Sequence, residues 1–177
     1  MAVNPSGVAI AAWDQFNYAG NGGATIGIAI QSGGKWSTPF TISGPNGFSM
    51  LPKVAVGADG TMAVSWTYQD PVSLPSPQQK IQVAVRPAAS TTWTTTTLAQ
   101  GTIGGVAITQ LIPVAVDGSG NVSAVWSLWN GSIHVVQSAV KLNGQAWSAL
   151  TNLAPGVDGI CIHNSSSPRA EMQVSRS

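Results

Sequence analysis

A thirteen-residue pattern that occurs three times constrains this chain more than any other feature. Residues 114–126 read VAVDGSGNVSAVW, residues 54–66 read VAVGADGTMAVSW and residues 1–13 read MAVNPSGVAIAAW. In each copy an alternating apolar run meets a short turn ending in Gly7, Gly60 or Gly120, and a second alternating run stops at Trp13, Trp66 or Trp126. Strict alternation puts one face of each strand in a core, and turns rich in Asn, Asp and Gly tolerate a positive φ. Each copy therefore reads as a β-hairpin of fixed length, and no helical periodicity competes with it.

Two further strands follow each hairpin. Copy one continues with ATIGIAIQ (residues 24–31), a turn at Ser32–Lys35 and a strand over Trp36–Ser43; copy two with Lys80–Arg86 and Trp93–Ala99; copy three with Ser132–Val140 and Trp147–Ala154. A period of about 50–60 residues with four short strands is the signature of a β-propeller blade. The fold class expected is all-β, a β-propeller of four-stranded blades, with residues 1–177 forming one segment. Blade one spans about 1–51, blade two about 52–112 and blade three about 113–167, with an extra closing strand at about 168–177. Such sheets are apolar on both faces, so neighbours must stack to bury them. Rings typically need four to eight blades. Completion to six blades is therefore expected from a homodimer, the terminal strand of one copy lying beside Val8–Trp13 of the other.

Only 7% of the residues are charged, against about 25% in an ordinary domain. Seven scattered Lys and Arg and a net charge of +1 offer no electrostatic footprint for nucleic acid or an anionic membrane, so neither is expected as a partner. No apolar run approaches the roughly 18–20 residues of a membrane span. Met1 is followed by neither a basic segment nor a long apolar core, so an exported form would carry its signal upstream or would have lost it. The single Cys161 excludes an intrachain disulfide and a Cys-rich zinc site. No cofactor is expected.

The motif P-x-V-A-V-D-x-x-G-N-x-x-A-V-W, whose closest copy is Pro113–Trp126 and which is followed by a strand, a Gly turn and Trp-Ser, resembles a repeat common in secreted or surface bacterial proteins of poorly defined function. That resemblance covers nearly all of the chain. It implies a propeller fold and an extracellular or cell-surface location, and no particular activity. Copy one lacks the opening Pro and half of the first strand, and copy two carries Gly57 where copy three has Asp117. The turns before Trp36 and Trp147 are similar in position to the Asp-box of sialidases, with Gly33 and Gly144 in place, but the Asp is absent and Ser90 replaces the Gly in copy two. Fucose-binding propellers use an Arg and a Glu in each sugar site; this chain has one Glu and three Arg, none at equivalent repeat positions.

In a propeller the loops leaving strands two and four emerge on one face, and here those loops are the long ones, at 14–23, 67–79 and 127–131 after the second strands and at 44–51, 100–112 and 155–167 after the fourth. Binding residues concentrate on variable loops over a rigid scaffold. The candidate ligand-binding residues are therefore Phe16, Tyr18, Tyr68, Gln69, Asp70, Trp129, Asn130 and His163. Trp129 is read as having no counterpart in the other copies and as lying in a loop beside Asn130, suited to stack on a sugar ring while amides take its hydroxyls; capping of the blade below competes with that reading. The six repeated Trp residues read as packing between blades. Glycoside hydrolysis needs two facing carboxylates, and only Asp14, Asp70, Asp158 and Glu171 are not turn residues. Cys161 and His163 lack a charged orienting partner for nucleophilic catalysis. Asp117, Asp59 and Asn4 read as turn-stabilising rather than calcium-binding, so no metal site and no catalytic residue is assigned. The expected function is a noncatalytic recognition module that binds carbohydrate in a lectin-like manner through inter-blade or long-loop pockets. The alternative is a structural or protein-interaction scaffold, and a glycoside hydrolase with a carboxylate pair across the central funnel stands third.

Overall fold

The structure, a computed structural model, describes residues 1–17, 22–70, 77–102, 107–110, 113–129 and 132–157. Among these residues every regular element is a strand, and no helix is long and apolar enough to cross a membrane. Unit one holds β1 (Ala2–Val3), β2 (Ala9–Asn17), β3 (Gly23–Ser32), β4 (Lys35–Trp36) and β5 (Phe40–Thr41). Unit two holds β6 (Phe48–Val56), β7 (Met62–Asp70), β8 (Gln78–Arg86) and β9 (Thr94–Thr102). Unit three holds β10 (Ala107–Gln110), β11 (Val114–Val116), β12 (Val122–Trp129), β13 (His134–Lys141) and β14 (Thr151–Val157). Within each unit the strands pair antiparallel in chain order. Units one and two connect through one parallel residue pair, Ala24 with Phe48, and unit three is a separate sheet. Neither sheet closes on itself.

The hairpin turns are built alike in all three copies. The amide of Asn4, Gly57 or Asp117 donates to the carbonyl four residues on at 2.8–3.0 Å, and Gly7, Gly60 or Gly120 donates back to the first residue. Each of these three glycines has a positive φ, between 78° and 95°, which side chains disfavour. Asn4 Oδ1 accepts the amides of Ser6 and Val8, and Asp117 Oδ1 those of Ser119 and Asn121. Copy two departs from this pattern for a steric reason. A Cβ on Gly57 would lie 2.7 Å from the Asp117 carbonyl oxygen, while the Gly57 carbonyl accepts a buried bond from Asn4 Nδ2 at 3.0 Å. Asp59 does the work instead, accepting from the Thr61 amide and hydroxyl.

Packing between units follows the alternation of the strands. Ile10, Ile26 and Ile28 of unit one pack with Met62, Val64, Trp66 and Ala84 of unit two. The opposite face of unit two supplies Ala63, Ile81, Val83 and Val85 to a second cluster with Val122, Ala124, Trp126 and Ala139 of unit three. Trp66 and Trp126 are fully buried. Their indole N–H groups donate to Gln82 and Gln137, the residues paired with them on the next strand, at 3.0 and 3.3 Å. Unit one breaks this ladder: Trp13 pairs with Gly27, a Cβ on Gly27 would lie 2.7 Å from the indole, and Trp13 is 37% exposed.

The strands differ from the sequence reading at their ends. β2, β7 and β12 run on past Trp13, Trp66 and Trp126 into stretches read as loops, and the expected loops at 44–51 and 100–112 contain the start of β6 and the strand β10. The cause is a first strand in two parts. Phe48–Met50 pairs with Thr67–Gln69 and Lys53–Val56 with Met62–Ser65, separated by a register shift where Leu51 has φ 60° and Pro52 follows. A proline has no amide for the ladder and tends to sit at bulges. In unit three the same two parts are β10 and β11. The strand expected over Trp36–Ser43 is likewise divided into β4 and β5, on either side of Pro39. The expected closing strand at 168–177 lies outside the described residues.

Two measurements check this packing. Trp66→Ala or Trp126→Ala is expected to cost about 3–5 kcal/mol in urea denaturation, and Trp13→Ala only about 1 kcal/mol in the monomer. The second concerns pH. Hydrogen bonds from the Asn121 side chain and from the turn amides hold the Asp117 carboxyl below its usual range. A lowered folded value makes its stabilisation complete above the unfolded value, with loss as pH falls through the folded one. Thermal melts from neutral to strongly acid pH should therefore fall less steeply for Asp117→Asn than for the parent chain.

Candidate functional site

A cleft of about 410 Å³ opens where the outer strands of units one and two meet. Its walls come from β3 (Ile30, Ser32), from β4 (Lys35, Trp36), β5 (Phe40) and Ser37 between them, and from the end of β8 with the turn beyond it (Arg86, Thr91). Gly33 and Gly34 both adopt positive φ, 56° and 77°, which lets the turn tighten and present Lys35. β8 stops at Arg86 because Pro87 follows. Arg86 pairs with Met62 and so lies on the face of unit two that meets unit one. Its guanidinium carbon sits 5.7 Å over the Trp93 ring, and one terminal nitrogen is 3.2 Å from Met62 Sδ. Burial pushes the Arg86 pKa below its ordinary value. Its Nε is buried without a hydrogen-bond partner among the described residues.

Chemically the cleft combines exposed aromatic surface from Phe40 (41% exposed), which pairs with Ile28 and so lies on the face turned to unit two, with hydroxyls and two cations. Its volume falls within the range of about 300–1,000 Å³ usual for small-ligand sites.

The residues expected from sequence are carried by three different units. Phe16, Gln69 and Trp129 occupy one repeat position, three residues beyond Trp13, Trp66 and Trp126, so Trp129 has positional counterparts after all. It ends β12 half-buried, not in a loop, and its ring centroid is 5.0 Å from that of His134 on the paired strand. Phe16 is exposed and lines a second, smaller cleft of about 310 Å³ with Gln15, Thr25 and Pro45. Tyr68, Gln69 and Asp70 lie in β7 rather than in the expected loop. Lys80 Nζ stands 5.2 Å over the Tyr68 ring, and burial, followed by the charge of Asp70, raises the Tyr68 pKa. Tyr18, Asn130 and His163 lie outside the described residues.

Sequence reasoning directed attention to the long-loop end, whereas the cleft between units one and two lies toward the tight turns. Its signal was nevertheless in the chain. The third-strand position paired with Ala9, Met62 and Val122 is Gln31, Arg86 and Lys141, which places cations at a repeat position in a protein with few of them. A further space of about 510 Å³ is bounded by the first strands of the three units, with Val3, Val54, Val56, Val114 and Val116 among its walls and no carboxylate among its lining residues. Asp59 and Asp117 serve their turns as acceptors, and among the described residues no group of three or more His, Cys, Asp or Glu is placed to hold a metal.

Comparison of the chain with protein-family models, with curated proteins and with solved structures returned no match.

Proposed function

We propose that this chain is a three-blade β-propeller segment that binds carbohydrate without catalysis, using the cleft between blades one and two. The observation that carries the reading is that cleft: aromatic surface at Phe40 beside the hydroxyls of Ser32 and Thr91. Three observations support the propeller arrangement. Each four-stranded unit offers an apolar face to its neighbour, the first strands surround a common space, and the hairpin turns are bonded or pressed to one another at one end. A secreted or surface setting belongs to the same proposal.

Completion of the ring by a second copy is part of it as well. The face of unit one that carries Trp13, Ala29 and Trp36 is the one that, in units two and three, is covered by the preceding unit. Its occupant would be the outer face of unit three, where Val125 and Val140 lie on the side of the sheet opposite Trp126 by strand alternation. Light scattering should give a dimer of sharp mass, and Trp13→Lys should yield a folded monomer. A wild-type monomer at high concentration would overturn the closure.

A glycan array with the full chain tests the binding function. Phe40→Ala should weaken the best ligand about tenfold through lost stacking, while Trp129→Ala should leave it unchanged. An array without any ligand, from a chain that dimerises as expected, would favour the scaffold reading, with the Trp13 face as its interaction surface.

A further inference from the structure

We infer that the cleft selects acidic saccharides, with Arg86 and Lys35 receiving a carboxylate or sulfate while the ring lies on Phe40. This inference rests on the glycan-binding reading of the same cleft and adds the class of ligand to it. Three observations carry it. The first is charge placement: the protein has seven Lys and Arg in 177 residues, yet two of them line this cleft, one from each unit, and no carboxylate lines it. Neither makes an ion pair among the described residues, so the positive potential there is not locally neutralised.

The second is the state of Arg86. Arg86 is half-buried with its Nε enclosed, and a guanidinium N–H taken out of water ordinarily meets an acceptor, because an unpaired one forfeits its bond to water. Here the nearest partners are a thioether sulfur and the face of Trp93, both weak acceptors, and Nε has none. The guanidinium is thus left without a strong acceptor, and an oxyanion entering the cleft would supply one through a charge-assisted bond. The third is the composition of the remaining wall. Ile30 and Phe40 provide an apolar bed that a bare inorganic anion would not use, and Thr91 offers a hydroxyl beside Arg86.

Isothermal titration of the full chain with matched pairs tests the inference: galactose and galacturonate, glucose and glucuronate, N-acetylglucosamine and its 6-sulfate, with inorganic sulfate as the control. At least one acidic member should bind about tenfold tighter than its neutral partner, the scale of one added charge-assisted contact. Added salt should shrink that advantage. Arg86→Gln should abolish it, and Lys35→Gln, in an exposed turn remote from the Trp93 contact, should reduce it while leaving neutral sugars unaffected. Equal binding within every pair would overturn the acidic preference and leave the glycan reading standing. Inorganic sulfate binding as tightly as the sulfated sugar would overturn saccharide recognition in favour of a bare anion site. Failure of every sugar to bind would overturn both.

Discussion

Everything in this molecule depends on the need of a four-stranded sheet that is apolar on both faces to find cover on both. Unit two satisfies it fully, with Met62, Val64 and Trp66 turned to unit one and Ile81, Val83 and Val85 turned to unit three. The buried indoles also need a partner for their N–H, and Gln82 and Gln137 supply it from the adjoining strand, so that a large apolar ring is buried without an orphaned donor. Gln137 in turn donates to Asn152 on β14, which carries the tie from the second strand to the fourth. Trp13 keeps the column but has Gly27 in place of the Gln. That substitution lets the ring lie flat against its own sheet, a sensible arrangement for an indole on an outer face.

The candidate binding site is a by-product of the same stacking. Two sheets packed over their inner strands diverge toward their outer strands, and the space between them there is too wide for side chains to fill. Phe40 and Arg86 reach into that gap from opposite units, and the shortness of β4 and β5 leaves it open. A fully regular fourth strand in unit one would narrow the entrance. The interruption at Pro39 is therefore a local departure that shapes the site.

Much of the architecture was legible in the sequence because period-two alternation and the Asn/Asp-Gly turns are local signals. The paired strands, the turn glycines and the packing role of Trp66 and Trp126 all follow from them. The strand ends were not legible, because Thr67–Asp70 and Phe48–Met50 are polar or mixed and become strand only by pairing with each other across a long stretch of chain. The same reason moved Tyr68, Gln69 and Trp129 from loop to strand. The cleft was hidden more deeply. Its residues are separated in sequence and gathered by the approach of two units.

The middle hairpin turn has a consequence for how such a chain can change. Gly57 is wedged between a hydrogen bond from Asn4 and the carbonyl of Asp117, so the position that breaks the shared motif is the one where a side chain has no room. The three copies are thus fitted to their places and are not interchangeable parts. Exchanging the second and third would carry an Asp into the crowded seat. Any history of duplication behind the chain must have been followed by specialisation of each copy for its neighbours, and an idealised protein made of identical copies of the third would have to relieve that contact before its repeats could stack.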